Sequence, residues 1–308
     1  MKKLAMQPTI SRIPTLTKVR YGGLAASLCM IIFSLFAIWH YGLKPSIDFT
    51  GGTIIDFSMP TLKTAKELLA ALPAQTREGL ELIAQNDTWQ LILPPQPTAV
   101  DPQQWLHTFS AISGQPATLV QATVVGPQVG EELFDQGALA LLVASLSIMI
   151  YLAMRFEWRL ALAAIASLIH DTILTLGVLA FLGVQMDLNV IAGMLAVIGY
   201  SLNDSIVIAD RLRDILRARP RDHIYISSDR AVRETFSRTL ITAGTTLFTI
   251  ACLLLLGGEA LYGFSVTLFF GVLTGTWSSV TIASTVQERL GLCAEHYQPK
   301  PELVDDLP

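Results

Sequence analysis

The chain has 308 residues, of which 52% are hydrophobic and only 15% charged, with a formal net charge of −4 and a mean hydropathy of +0.50. Soluble domains carry about 25% charged residues, so a water-soluble globule with an ordinary surface is excluded, as are a disordered chain and a collagen. The negative balance also excludes a nucleic-acid binder built on a basic field.

A helix that crosses a bilayer needs about 20 apolar residues, so uncharged runs locate the spans. The first is Tyr21–Leu43. It is too long for the apolar core of a signal peptide and no small-residue cleavage site follows, which predicts an uncleaved anchor. Residues 44–135 then form a polar stretch, with Lys44, Lys63, Lys66 and Arg77 against ten acids. Within it, Thr53–Met59 is β-rich, and Leu62, Leu68, Leu69 and Leu72 have helical spacing. Leu80–Ala84 and Trp89–Leu93 read as strands around a tight Asn86-Asp87 turn. Asp101 can cap a helix through Ile112, with Trp105, Phe109 and Ile112 on one side, and Ala117–Val125 is a last β-rich run. The order βαββαβ is that of the ferredoxin-like split unit. Its one histidine, His107, has no catalytic company.

Five further runs follow: Gln136–Met154, Leu160–Leu182, Leu188–Ala209, Thr239–Gly258 and one within Ala260–Gln287. The predicted fold is an α-helical membrane protein of six spans plus a small extracytoplasmic α+β domain. Lys2, Lys3, Arg12, Lys18 and Arg20 precede the first span, Arg155 and Arg159 follow the second, and eight arginines from Arg211 to Arg238 follow the fourth. The positive-inside rule then places both termini in the cytoplasm. The expected division is a cytoplasmic N-terminus (1–20), a first span (21–43), an outer ferredoxin-like domain (44–135), a five-helix bundle (136–287) with a cytoplasmic Arg-rich loop (210–238), and a cytoplasmic tail (288–308). Cys29, Cys252 and Cys293 have no metal spacing and are expected to be buried and inert.

Ionisable groups inside hydrocarbon cost about 2.5–3.5 kcal/mol each on insertion scales, so those present mark candidate sites. Asp204 lies in the fourth span, in Gly199-Tyr200-Ser201-Leu202-Asn203-Asp204, about 9 Å along the axis from Asp210. Tyr200 and Ser201 share its face one turn away. Desolvation favours the neutral form of a carboxyl, which suits a group that loads and releases protons; a structural hydrogen bond between helices is the other reading. Arg238 begins the fifth span, above a stripe of Thr242, Thr245, Thr246 and Thr249. It either pairs with Asp204 across a wet seam or anchors the helix at the headgroups. His170-Asp171, in the middle of the third span with Ser167 and Thr175 on the face of Asp171, is either a relay or a structural acceptor. Gly271, Gly275 and Ser279 in the sixth span make a small-residue stripe for close helix packing. Gly51-Gly52 lacks the Gly-Lys-Ser/Thr ending of a phosphate loop. No cofactor, metal site or enzymatic constellation is expected, so energy must come from an ion gradient or a partner.

Several motifs in order carry a resemblance: IDFTGGT (47–53), VGPQVGEEL (125–133), YLAMRFEWRLALAAI (151–165), His170-Asp171, IGYSLNDSIVIADRLRD (198–214), SRTLITAGTT (237–246) and GFSVTLFFGVLTGTWSS (263–279). Together they resemble the SecD/SecF family of bacterial protein-export membrane subunits, in its smaller SecF form. The resemblance implies pairing with SecD in a twelve-span assembly of resistance-nodulation-division type in the inner membrane, beside the SecYEG channel and with YajC. It implies that the proton gradient helps to draw unfolded secretory proteins outward. It assigns the proton path to Asp204 and Arg238, with Asn203 beside the former, and marks Asp48, Gly51 and Gly52 as a family motif after the first span. Asp214 and Trp277 depart from the family's usual Glu and Tyr. Two other readings remain: a proton-driven exporter of small molecules or lipids, which needs a larger outer domain, and a non-conducting scaffold for a translocation channel.

Overall fold

The computed structural model describes residues 14–60, 64–73, 76–77, 79–85, 88–96, 100–258 and 261–297. Expectations for Lys2, Lys3, Arg12, Leu62, Lys63, the Asn86-Asp87 turn and the tail beyond Tyr297 lie outside these residues.

Six helical segments are long and apolar enough to cross a membrane. They are α1 (Thr15–Tyr41), α5 (Pro127–Arg155), α6 (Trp158–Leu182), α7 (Leu188–Ala218), α8 (Ile224–Leu256) and a last segment, Tyr262–Arg289. The last consists of α9 (Tyr262–Ser278), a π-helical turn (Ser279–Ala283) and α10 (Ser284–Arg289). Local chemistry sets the ends. Pro127 occupies the first turn of α5, where its missing N–H is not needed. Glu157 and Asp187 cap α6 and α7 with side-chain oxygens, and Gly183 closes α6 in the left-handed conformation.

The helices overrun the uncharged stretches. The Arg-rich segment 210–238, expected as a loop, is helical except for residues 219–223. Leu212, Ile215 and Leu216 recur at helical spacing on α7 and bury against Leu160, Ile224, Ala231 and Leu292, a small core of its own at that end of the bundle. Absence of charge marks where lipid begins, not where a helix ends. Charged residues of the segment pair across its surface: Arg211 Nε donates to Glu234 Oε2 at 2.6 Å, and Arg230 lies 3.3 Å from Asp222.

Helices α6, α7 and α9 form the buried centre, while α1, α5 and α8 turn large apolar side chains such as Phe36, Ile150 and Phe248 outward. Cys29 and Cys252 lie on these outer faces and are exposed, not buried as expected.

Between α1 and α5 lies the α+β domain. A short helix α2 (Ile47–Thr50) leads into β2 (Gly52–Ser58), α3 (Ala65–Ala70), β3 (Glu81–Gln85), β4 (Thr88–Leu93), α4 (Pro102–Ser113) and β5 (Thr118–Val125). The sheet order is β3-β4-β2-β5, antiparallel throughout, which is the ferredoxin-like arrangement of a βαββαβ chain. The two helices cover one face over Ile55, Phe57, Leu68, Leu91, Leu106 and Phe109, and the Phe57 and Phe109 rings stack at 5.3 Å. His107 is exposed on α4. Strand β1 (Lys44–Pro45) pairs in parallel with β6 (Gln185–Met186), tying the end of α1 to the α6–α7 connection.

Candidate functional site

Asp171, midway along α6, is fully buried. Its Oδ2 accepts from Ser201 Oγ of α7 and from Ser278 Oγ of α9, the latter at 2.7 Å. Its Oδ1 lies 2.8 Å from His170 Nδ1, and Ser167 Oγ donates to Ser278 Oγ at 2.7 Å. Three helices thus converge on one carboxylate. Thr175 lies on the same face but donates to the backbone carbonyl of Asp171, at 2.7 Å. His170 Nε2 is buried with no hydrogen-bond partner among the described residues.

Asp204 lies one turn beyond Ser201 on α7, facing the bundle at 3% exposure. Its Oδ2 has no hydrogen-bond partner among the described residues, and neither has Ser205 Oγ beside it. Arg238 acts on Asp204 through its charge but forms no ion pair with it within 4.0 Å, and its residue is exposed on α8. Asn203 is exposed, about 100° around α7 from the buried Asp204. Arg238 lines an open cleft of about 440 Å³ with Arg155, Asp210, Asp214, Glu234 and Thr235. The threonines below it satisfy their own hydroxyls along α8: Thr245 donates to Ile241 O at 2.9 Å, Thr246 to Thr242 O at 2.8 Å and Thr249 to Thr245 O at 3.0 Å. Thr245 and Thr249 are exposed while Thr242 and Thr246 are half-buried, so the stripe runs along the edge of this chain's bundle.

Gly271 and Gly275 set α9 against α7. A Cβ on Gly271 would collide with the Val197 side chain, and one on Gly275 would lie 3.1 Å from Ser201 Cβ. Ser279 begins the π turn and donates to Thr276 O at 3.0 Å. Asp48, Gly51 and Gly52 build the joint between sheet and bundle. Asp48 Oδ2 accepts the N–H of Leu188, the first residue of α7, at 3.1 Å. Gly51 has φ +72 and lies so close to Pro127 that a Cβ would come within 2.8 Å of its backbone. Asp187, beside this joint, has its carboxyl pKa raised, first by burial and then by the charge of Asp48, against the lowering effect of the Val190 N–H.

A second buried network escaped the sequence reading. Arg20, expected in the cytoplasmic N-terminus before the first span, is fully buried between Asp229 of α8 and Glu288 of α10, with Nη2 at 2.8 and 2.7 Å from the two carboxylates. Asp229 and Glu288 lie in charged stretches where sequence offers no sign of burial.

The comparisons agree on a family. Residues 107–292 match the family described as protein export membrane protein SecD/SecF, C-terminal, and residues 36–59 match the SecD/SecF GG motif. Protein translocase subunit SecF of Pseudomonas aeruginosa is 38% identical over 296 residues, covering 94% of this chain and 96% of that protein. The subunit of the same description from Escherichia coli O157:H7 is 37% identical over 90% of this chain and 87% of that protein. Among solved structures, SecDF from Thermus thermophilus, a translocon-associated membrane protein, superposes with a TM-score of 0.81 at 29% identity over 92% of this chain. A structure of SecDF in a super-membrane-facing form gives 0.66 at 30% identity. This chain spans 40% and 39% of those two SecDF chains.

Proposed function

Since this multi-pass membrane protein belongs to the SecD/SecF family of protein-export membrane proteins, a family of transport and not enzymatic role, we propose that it is an accessory subunit of the Sec translocase that couples proton entry to protein export. It pairs with SecD, works beside SecYEG and with YajC in the bacterial inner membrane, and acts on unfolded secretory proteins. Both termini face the cytoplasm and the sheet domain faces the opposite side, the orientation that the positive-inside rule favours.

The observation that carries this reading is Asp204: a buried carboxyl in an apolar helix, with an unpartnered oxygen and a cation near but not bonded. A carboxyl of merely structural use would have its donors in place, and Asp204 Oδ2 has none among the described residues. The cycle starts with a proton arriving from outside at Asp204, which weakens the attraction to Arg238. The packing of α7 against α8 shifts, and the sheet domain moves with it. Proton release inside resets the site. One proton falling through about 100 mV supplies about 2.3 kcal/mol, enough to bias a two-state equilibrium of a few kcal/mol. Asp171, with His170, exchanges with Asp204 through Ser201, which touches the one and lies a turn from the other. The outward face of Asn203, Arg238 and the threonine stripe is where SecD completes the path.

Asp204→Asn tests this directly. The neutral amide fills the same space, so assembly should persist while gradient-dependent stimulation of export in vesicles is lost. Normal stimulation in that variant sinks the coupling and leaves the scaffold reading, under which the exchange Asp204→Arg with Arg238→Asp is tolerated.

A further inference from the structure

The network at Arg20 is not used by the coupling just described, and its two acids are held unequally. Asp229 is fully engaged: Oδ2 accepts from Thr17 N at 3.1 Å and Thr17 Oγ1 at 2.9 Å, and Oδ1 accepts from Arg20 Nε at 2.9 Å. Glu288 is held loosely. Its Oε1 comes within 2.7 Å of Arg20 Nη2 without the alignment of a hydrogen bond, its Oε2 receives a 3.3 Å bond from Tyr21, and the Ser228 hydroxyl lies beside it. Arg20 Nη1 is directed to Ser284 Oγ at 3.1 Å.

One guanidinium therefore faces two carboxyls, both at least nine-tenths buried. The other cations of the surrounding elements are committed elsewhere. Arg289 of α10 lies over the Tyr21 ring at 5.1 Å, and Arg159 of α6 bonds Glu157 and the Leu290 carbonyl. Arg213 of α7 pairs with Asp210 and Arg230 of α8 with Asp222, while Lys18 of α1 and Arg233 of α8 are exposed. With both carboxyls ionised, the cluster would bury an uncompensated negative charge, which proteins avoid by neutralising the group.

We infer that Glu288 holds a proton in this packing, making the junction of α1, α8 and α10 a second protonation site, distinct from Asp204. Separating these helices admits water and lets Glu288 ionise, so the proton and the packing are linked. The linkage reaches the proposed coupling helix itself: Arg238 lies nine residues from Asp229 on α8, about 14 Å at 1.5 Å per residue.

The test does not depend on export. The full-length chain in lipid nanodiscs, with Asp204→Asn as common background, is unfolded thermally across the carboxylate titration range. A proton bound in the folded but not the unfolded chain means that stability falls as pH rises. Glu288→Gln mimics the neutral acid: it should match the background at low pH, exceed it at high pH and flatten the pH slope by one proton. Asp229→Asn should lower the Tm at every pH, because Thr17 and Arg20 lose their acceptor. Glu288→Gln that loses as much Tm as Asp229→Asn and keeps the slope overturns the assignment. A readout that needs no variant is infrared spectroscopy with carbon-13-labelled glutamate: a protonated carboxyl band should persist at neutral pH and vanish on alkaline titration, and its absence at neutral pH overturns the assignment equally.

Discussion

At the scale of single residues, the buried Asp171 and Asp204 and the half-buried Asp187 are held in three ways, and the differences predict different responses to the same change. Asp171 accepts from Ser201 and Ser278 and lies 2.8 Å from His170 Nδ1, so both its oxygens have partners at the crossing of three helices. Asp171→Asn keeps the volume but turns one acceptor oxygen into a donor, which should cost about 1–3 kcal/mol; Asp171→Leu, which strands both serines and the imidazole, should cost more. Denaturant or thermal unfolding in nanodiscs orders the two, and a Leu variant as stable as wild type would mean that the network contributes nothing. Asp204 lacks such donors, so Asp204→Asn should be nearly neutral by the same measurement while it abolishes coupling. Asp187 caps α7 through Val190 N at 2.7 Å with its carboxyl pKa raised by burial and by Asp48. The folded chain holds this proton more tightly than the unfolded one, so stability falls as pH rises through the titration of Asp187. Asp187→Asn retains an oxygen for the cap and removes the charge facing Asp48. Its Tm should equal or exceed that of wild type at neutral pH and respond less to pH; a lower Tm at neutral pH counts against the assigned cause.

At the scale of elements, the last span does most to join the molecule. Its glycine face admits α7, Ser278 reaches Asp171, and Ser284, beyond the π turn, reaches Arg20. The wider turn inserts one residue into the helical repeat and so sets how Ser278 and Ser284 are aimed, each into its own network. Gly271→Val should push Val197 away, separate α9 from α7 and cost about 1–3 kcal/mol, read as a lower Tm with the sheet domain still folded. This element also shows what sequence does and does not reveal. The small-residue stripe, Asp204 and Asp171 stand out because each breaks an apolar run, where any exception needs a cause. The π turn leaves no sign in residue types. Arg20 looks like any cation flanking a span, and its partners lie 209 and 268 positions away, in stretches where a buried acid and a solvated one look alike. The α+β domain was legible because alternation and capping are local: Asp101 caps α4 through Gln103 N at 2.9 Å, and the strands fall within a residue or two of the β-rich runs. The ends of α7 and α8 are not legible, because both helices continue through charged residues and the small core around Leu212 and Leu216 needs contacts from four separate segments.

At the scale of the whole molecule, the sheet domain meets the bundle at one joint. The chain enters through α2 and leaves through β5 into α5, and these two passages lie side by side because Gly52 pairs with Val125. Asp48 links the joint to the start of α7, the helix of Asp204, and the β1–β6 pair links it to the end of α6, the helix of Asp171. These contacts join the ends of α6 and α7 to the sheet domain, which has its own apolar core. The fit at Gly51 controls this joint. Its φ of +72 with ψ 171 is a conformation that essentially only glycine adopts and costs a side-chain-bearing residue about 1–3 kcal/mol, and a Cβ would come within 2.8 Å of the Pro127 backbone, so the passages must part to admit it. Gly51→Ala should leave the domain core and the helix bundle folded yet change the angle between them. Spin-label distances between an exposed site on α4 and one on α7 should shift or broaden, and gradient-dependent export should fall while Asp204 itself is untouched. Unchanged distances with lost export would mean that the joint acts in some way other than setting the angle; unchanged distances with full export would show that the sheet domain does not take its orientation from this contact.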